Sequence, residues 1–455
     1  MNYRQAYKYL TTFINYENRL SHVEKADFTL GPIKALLNCL GDPQERFISV
    51  HIAGSKGKGS TAVFIASILN KAGLKTGLYT SPHLYDLRER IRVLSSGKAS
   101  FKESPDFAGK ISEKEFAKVL TAIRPHIDAL QKKTTLRKLT YFEILTAAAF
   151  FYFASKRIDV AVLETGLGGR LDATNVVESM ISVITPIELE HAKILGNTLR
   201  KIAKEKSAII KGSNKAVIVG RQEKEALDVI LNECRVKKVE PVLLGKHFDG
   251  LIKSQDFKSV RFDFRGKEIF NNVEIKLPGL HQADNAALAI GCVLGLKKQK
   301  VCVSRKDIYQ GLKEARWPLR FEVVEARKKI IFDSAHTPQA FKALLKSVRE
   351  LFPREKIILI LGISADKNLK AIAEEVVCHV EKVFIAKAKS SRALDINLNA
   401  AKKLFKGKEV CKPRTLKIAL NLSLNSSADN EIILVAGSIF LAAEARNIIR
   451  REYHV

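Results

Sequence analysis

The chain has 455 residues, 46% of them hydrophobic and 27% charged, enough for two or three domains of roughly 150 residues, each with its own core. That balance excludes a disordered, collagen-like or coiled-coil protein. Lysine and arginine number 77 against 48 acidic residues, a net charge of +29, which points either to acidic partners such as nucleotides and nucleic acid or to a lysine-rich surface.

In chain order, Met1–Leu20 is polar and lacks the apolar stretch of a signal peptide. Phe47–Ala53 reads as a strand running into a glycine-rich turn, Thr61–Ala72 as a helix and Lys75–Tyr79 as a second strand. Lys98–Lys110 reads as a polar surface loop. The longest apolar run, Ile144–Ala154, is too short to span a bilayer. Asp159–Glu164 is apolar almost throughout, as expected of a strand covered on both faces, and Ile181–Thr185 and Ala216–Gly220 repeat the style. A second series begins after Arg316-Trp317-Pro318: a strand at Lys329–Asp333, a helix at Pro338–Leu351, strands at Lys356–Leu361, Lys382–Ala386 and Glu431–Ala436, and a last helix to about Arg451. The alternation predicts an α/β protein with largely parallel sheets, divided into residues 1–315 and 316–455. Six scattered cysteines with no C-x-x-C pair predict neither a disulfide framework nor a zinc ribbon, and suit a reducing, cytoplasmic setting. No nucleic-acid recognition motif is visible.

Four segments carry the chemistry. His51–Thr61 (HIAGSKGKGST) lies between a strand and a helix, where backbone N–H groups and a helix N-terminus suit phosphate. Gly54, Gly57, Lys58, Gly59 and Ser60 are the candidates there, with Lys58 reaching the β/γ-phosphates of a nucleotide and the Ser60 hydroxyl a Mg²⁺ ion. Gly59 separates Lys58 from Ser60, so the standard G-x-x-x-x-G-K-[ST] spacing is not met. Leu163–Asn175 opens at the carboxyl end of a strand, where open α/β sheets bind ligands. Glu164 is there either a metal ligand or a structural carboxylate. His191 is a metal ligand or a satisfied loop histidine, and its residue type alone favours the second. Lys206 reads as an ordinary surface lysine. Asp333 and His336 are a ribose- or substrate-binding pair, or two polar loop residues.

Taken in order, these segments resemble the folylpolyglutamate synthase/dihydrofolate synthase family of the Mur ligase superfamily, from about residue 28 to residue 445. The resemblance rests on Gly54–Ser60, Thr80-Ser81-Pro82-His83-Leu84, Thr140-Tyr141-Phe142-Glu143, the unbroken Glu164–Asn175 run (ETGLGGRLDATN), Glu205–Ile209 and His281–Asn285. It implies a P-loop Mur-ligase-type central domain and a smaller C-terminal Rossmann-like α/β domain, with the active site between them. It implies ATP and Mg²⁺ as cofactors. Gly57, Lys58, Gly59 and Ser60 would hold the ATP phosphates, and Ser60, Ser81, Glu164 and His191 the magnesium. Lys206 would be carbamylated at the metal centre. Asn285, Arg320 and Asp333 would contact adenosine or phosphates, and His336, Gly437 and Ser438 would lie near the incoming L-glutamate. Lys58, Lys206 and His336 would serve catalysis.

The implied activity joins L-glutamate to dihydropteroate, or to tetrahydrofolate and its polyglutamates, through an acyl phosphate. The implied protein is a monomer that binds neither nucleic acid nor membrane. Lys56, Glu190, Ala208, Leu319, Ser334, Thr337 and Pro32 depart from the family's usual residues, and they bear on substrate choice more than on ligation. Two alternatives stand beside this reading. One is a cell-wall Mur ligase, disfavoured because only 53 residues precede Gly54. The other is a basic, nucleotide-regulated nucleic-acid-binding protein.

Overall fold

The computed structural model describes residues 1–18, 28–95, 105–132, 137–299, 301–390, 392–425 and 430–453. The first part of the loop expected at Lys98–Lys110 lies outside these; Pro105–Phe107 forms a short 3₁₀ turn. The chain divides into two compact units. The first comprises Met1–Lys253, Arg261–Lys276 and His281–Arg316, and the second Ser254–Val260, Leu277–Leu280 and Trp317–Val455. The second unit thus draws in two short segments that a linear division at 315/316 leaves with the first.

A seven-stranded sheet organises the first unit. Its strands are β1 (Ile48–Ala53), β2 (Thr76–Tyr79), β3 (Ile91–Leu94), β4 (Val160–Glu164), β5 (Ile181–Ile184), β6 (Ala216–Val219) and β7 (Pro241–Leu243), in the order β3-β2-β4-β1-β5-β6-β7. All neighbours are parallel except β2 and β3. β4 is buried along its whole length, which is why its sequence is apolar at consecutive positions rather than alternate ones. Register sets Ile52 of β1 opposite Glu164 of β4, and Tyr79 of β2 opposite Leu163. The carboxyl ends of three adjacent strands therefore deliver Gly54, Ser81 and Glu164 to one edge of the sheet. The helix Tyr141–Ser155 packs into the apolar cluster beside β4. Its start is fixed by a capping box, in which Thr140 and Glu143 satisfy each other's backbone N–H groups.

A three-stranded sheet, β8 (Asp249–Gln255), β9 (Val260–Arg265) and β10 (Ile269–Ile275), has the order β10-β9-β8. The alternation predicted only α/β units, and this sheet is an addition to them.

The second unit carries β11 (Glu322–Glu325), β12 (Lys329–Phe332), β13 (Lys356–Leu361), β14 (Lys382–Ile385), β15 (Glu409–Cys411) and β16 (Glu431–Ala436), in the order β11-β12-β16-β13-β14-β15. Only β11 runs antiparallel to its neighbour. The helix Pro338–Leu351 opens on proline, whose missing N–H costs nothing at that position. Thr337 caps it by accepting the Ala340 N–H at 3.3 Å. Thr337 thus has a helix-capping use independent of any ligand. Phe257 of the short segment Ser254–Val260 packs against this unit's core, its ring 6.0 Å from that of Phe352.

Candidate active site

The phosphate loop is built by backbone geometry. Gly57 has φ +82 and precedes the helix Lys58–Lys71, while Gly54 has φ +153. A Cβ on Gly54 would stand 1.8 Å from Thr185 Oγ1, and one on Gly57 would stand 2.3 Å from Asn285 Oδ1. Both positions need glycine for space as well as for dihedral angle. The second contact also shows that Asn285, on the helix His281–Lys297, lies against the loop. Gly59 and Ser60 form the buried first turn of the helix Lys58–Lys71.

Two ammonium groups converge on one carbonyl. Lys58 Nζ donates to Gly54 O at 3.0 Å, and Lys206 Nζ donates to the same oxygen at 2.7 Å. Lys206 is 1% exposed, so the expectation of an ordinary surface lysine is corrected. The helix Leu199–Ser207 has Lys204 and Lys206 in its last turn, but Lys206 is on the face turned inward. Its partner is Glu190 Oε1 at 3.1 Å. Burial depresses the Lys206 pKa and Lys58 adds to that, against the opposing pull of Glu190, leaving it at about 8. Burial alone would raise the Glu190 carboxyl, but Lys206, Lys58, His191 and Lys56 outweigh it and hold Glu190 at about 2.

Glu164 is buried at the end of β4, and its Oε2 accepts the Ser81 N–H at 3.1 Å. Ser60, Ser81 and Glu164 offer two hydroxyls and a carboxylate, the hard oxygen set that Mg²⁺ takes. Among the described residues no group of three or more His, Cys, Asp and Glu side chains forms a metal cluster, and a site of this composition requires none. His191 sits in the left-handed region (φ 49) just ahead of the short helix Ala192–Leu195 and is exposed.

The Glu164–Asn175 run is largely scaffold. Asp172 accepts the N–H groups of Gly166 at 2.9 Å, Leu167 at 2.8 Å and Thr174 at 3.0 Å, and the Thr174 hydroxyl at 2.5 Å. With its proton given to Asp172, the Thr174 hydroxyl accepts from His51 Nε2 at 2.7 Å. His51, fully buried on β1, is therefore the Nε2–H tautomer, and its Nδ1 has no hydrogen-bond partner among the described residues.

Burial, with Lys211 adding to it, lowers the His51 pKa from 6.5 to about 3. A histidine depressed in the folded state binds its proton more readily when unfolded. Its stabilising effect is complete above pH 6.5 and declines as pH falls towards 3. Between pH 6.5 and 4.5 the fold should lose roughly 2–3 kcal/mol to this residue. Urea midpoints at the two pH values check it: His51→Gln should flatten the decline, and an equal decline in wild type and variant would refute it.

In the second unit, Asp333 follows β12. Its Oδ2 accepts the Phe321 N–H at 2.8 Å and its Oδ1 the Ala335 N–H at 2.7 Å. Ala335 O accepts the Gly437 N–H at 2.7 Å, which brings the Asp333–His336 turn beside Gly437 and Ser438 at the end of β16. His336 donates through Nδ1 to Ser334 O at 2.8 Å. Arg320 lies between Leu319 (φ 59) and Phe321 (φ 49). The first is a conformation glycine adopts without strain, which explains why glycine suits the place before this arginine.

Sequence reasoning missed Glu190 as the partner of Lys206, and it missed Ser55, Thr185 and Gln222 around the loop. No spacing signal joins a loop glutamate to a helical lysine sixteen positions on.

Comparisons with known proteins bear on the family and the fold. The family profile described as "Mur ligase middle domain" matches residues 95–293, and "Mur ligase, glutamate ligase domain" matches residues 319–439. The chain is 31% identical over 429 residues to the dihydrofolate synthase/folylpolyglutamate synthase of Bacillus subtilis, covering 92% of this chain and 95% of that one. It superposes on the folylpolyglutamate synthase of Thermotoga maritima with a TM-score of 0.82 at 33% identity, over 98% and 96% of the two chains. It also superposes on the ADP complex of Mycobacterium tuberculosis folylpolyglutamate synthase, with a TM-score of 0.86 at 27% identity over 99% of each chain.

Proposed function

The chain belongs to the folylpolyglutamate synthase/dihydrofolate synthase family, and from that premise we propose a bifunctional enzyme that joins L-glutamate both to dihydropteroate and to reduced folates. As a member it is an ATP-dependent acid–amino-acid ligase of Mur-ligase type, using ATP with Mg²⁺. The γ-phosphoryl group passes to a substrate carboxylate, releasing ADP. The amine of L-glutamate then attacks the acyl carbon, phosphate leaves, and the amine gives up a proton.

The observation that carries the reading is Lys58, whose Nζ folds back onto Gly54 O at the start of the helix Lys58–Lys71, in a loop whose Gly54 and Gly57 leave no room for a Cβ. Positive charge and glycine backbone at a helix start suit phosphoryl transfer, which depends on positioning and charge neutralisation. In this reading Gly57, Lys58, Gly59 and Ser60 bind the ATP phosphates, with Asn285 alongside. Bound Mg²⁺ would neutralise charge on the transferring phosphoryl group, and Ser60, Ser81, Glu164 and His191 would hold it, with Lys206 at its edge as a carbamate. Arg320 and Asp333 would contact adenosine or phosphates, and His336, Gly437 and Ser438 would lie near the incoming L-glutamate, as the family resemblance implies.

We also assign the protein to the cytoplasm as a monomer. None of its six cysteines is in a disulfide, and no helix among the described residues is long and apolar enough to cross a membrane.

An ADP-release assay with L-glutamate and either dihydropteroate or tetrahydrofolate tests the function. Turnover with both substrates, and complementation of a strain lacking dihydrofolate synthase, are expected. Tetrahydrofolate extension without complementation would leave a single activity. Glu164→Gln should raise the magnesium needed for half-maximal rate by about tenfold or more, since it removes the one buried carboxylate of the oxygen set. An unchanged magnesium titration would remove Glu164 from the metal site.

A further inference from the structure

The phosphate loop is held from behind by a strut whose far end is Gln222. This residue lies between β6 and the helix Lys224–Lys237 and is half-buried. Its Nε2 donates to Thr185 O at 3.0 Å, and its Oε1 accepts the Ile187 N–H at 3.0 Å. One side-chain amide thus grips the chain on both sides of Pro186. Pro186 O in turn accepts the N–H groups of Ser55 at 2.8 Å and Lys56 at 3.2 Å. Ser55 Oγ closes the link by accepting the Glu188 N–H at 3.0 Å and donating to Glu188 O at 3.1 Å. At the near end, Thr185 N–H donates to Ala53 O at 2.8 Å, and its Oγ1 occupies the space that any Cβ on Gly54 would need.

The loop's own hydrogen bonds do not supply this fixation. Ser55 and Lys56 lie between β1 and the helix Lys58–Lys71, outside both. Their backbone N–H groups point at Pro186 O rather than at each other. Where that carbonyl sits is decided by the 185–187 segment, and Gln222 is the side chain that fixes the segment from outside. Pro186 donates no N–H of its own, so the flanking residues carry the grip.

We propose that Gln222 is a positioning residue for nucleotide binding, which sets the phosphate loop through the Thr185–Glu188 segment without touching the nucleotide. The proposal rests on reading Gly54–Ser60 as the ATP loop. Because the strut acts on loop placement and not on charge at the transferring group, its loss should weaken nucleotide binding and spare the chemical step.

Replacing Gln222 by leucine keeps the bulk and removes both hydrogen bonds. Gln222→Leu should raise the KM for ATP and the dissociation constant for Mg-ADP about five- to twentyfold, the effect of one or two lost hydrogen bonds. The KM values for folate and L-glutamate and the kcat at saturating ATP should stay within about twofold. Ser55→Ala removes the second link between loop and segment, the Oγ bonds to Glu188, but keeps the backbone bonds to Pro186 O, and should give a smaller shift in the same direction. The two effects should fall short of multiplying in the double variant, since both links fix the same Thr185–Glu188 segment against the loop.

A variant that melts at lower temperature but binds ATP and ADP as the wild type does would make Gln222 merely structural and overturn the proposal. So would KM values that all rise together, or effects that multiply in the double variant. Failure of the wild type itself to bind Mg-ADP would instead overturn the ATP-loop reading, so the two failures are separable.

Discussion

Lys58→Ala is expected to lose turnover by roughly 10²–10³-fold while keeping its fold, the usual loss when one preorganised charge contact to the transition state is removed. The side chain leaves the first residue of the helix Lys58–Lys71 and curls back to Gly54 O. That bond spans four residues and satisfies a loop carbonyl without deep burial of the ammonium. Removing it leaves Lys206 Nζ donating to the same oxygen, so the carbonyl keeps a donor and the structure should persist. Far-ultraviolet circular dichroism should be unchanged and the ADP-release rate should collapse. Lys58→Arg should recover little, because a planar guanidinium does not replace a compact ammonium in a glycine-lined turn. Wild-type turnover in Lys58→Ala would remove the phosphate-loop assignment.

Lys206→Ala should be costly for stability and for activity, and by different routes. Glu190, held ionised by its cations, would lose its closest partner, and breaking such a pair costs roughly 3 kcal/mol. The activity loss is tied to carbamylation. Burial holds the Lys206 pKa well below the usual lysine range, which favours the neutral amine, the form that bonds to CO₂ and releases a proton. A carbamate beside Glu190 sets two anions together, which a dication relieves, so CO₂ and Mg²⁺ uptake should support each other. Stripping CO₂ should weaken the wild type, and formate or acetate should partly restore Lys206→Ala. Insensitivity of the wild type to CO₂, together with no rescue, would leave Lys206 as a plain ammonium.

Much of the architecture was legible because burial on both faces writes itself into consecutive apolar residues. β4, β13 and β16 read directly from Asp159–Glu164, Lys356–Leu361 and Glu431–Ala436. Pro338–Leu351 read as a helix because proline marks its start and its apolar residues recur at helical spacing. The three-stranded sheet was not legible. β8 is mostly exposed, so neither an apolar run nor a clean alternation announces it. The antiparallel edges at β3 and β11 were equally silent, since short strands carry no direction in their composition. Within the site, the loop glycines were visible in the sequence because φ and space both demand them. Lys206 was not, because its burial depends on Glu190 and Gly54 O, contacts made across sixteen and 152 positions of chain.

The discontinuous make-up of the second unit bears on how the protein can be cut. Phe257 belongs to the packing around Phe352, and the Lys329 ammonium lies over both rings, 5.4 Å from one centroid and 5.7 Å from the other. A fragment beginning at Trp317 would inherit Phe352 and Lys329 without the aromatic ring that covers them. Exposed apolar surface of that kind invites self-association. Gene fragments meant to yield the glutamate-ligase half by itself should therefore graft residues 254–260 onto it, or replace Phe352 with a polar side chain. A chimera that exchanges everything after Arg316 with a relative's sequence must match the donor's residue at position 257 as well as its junction.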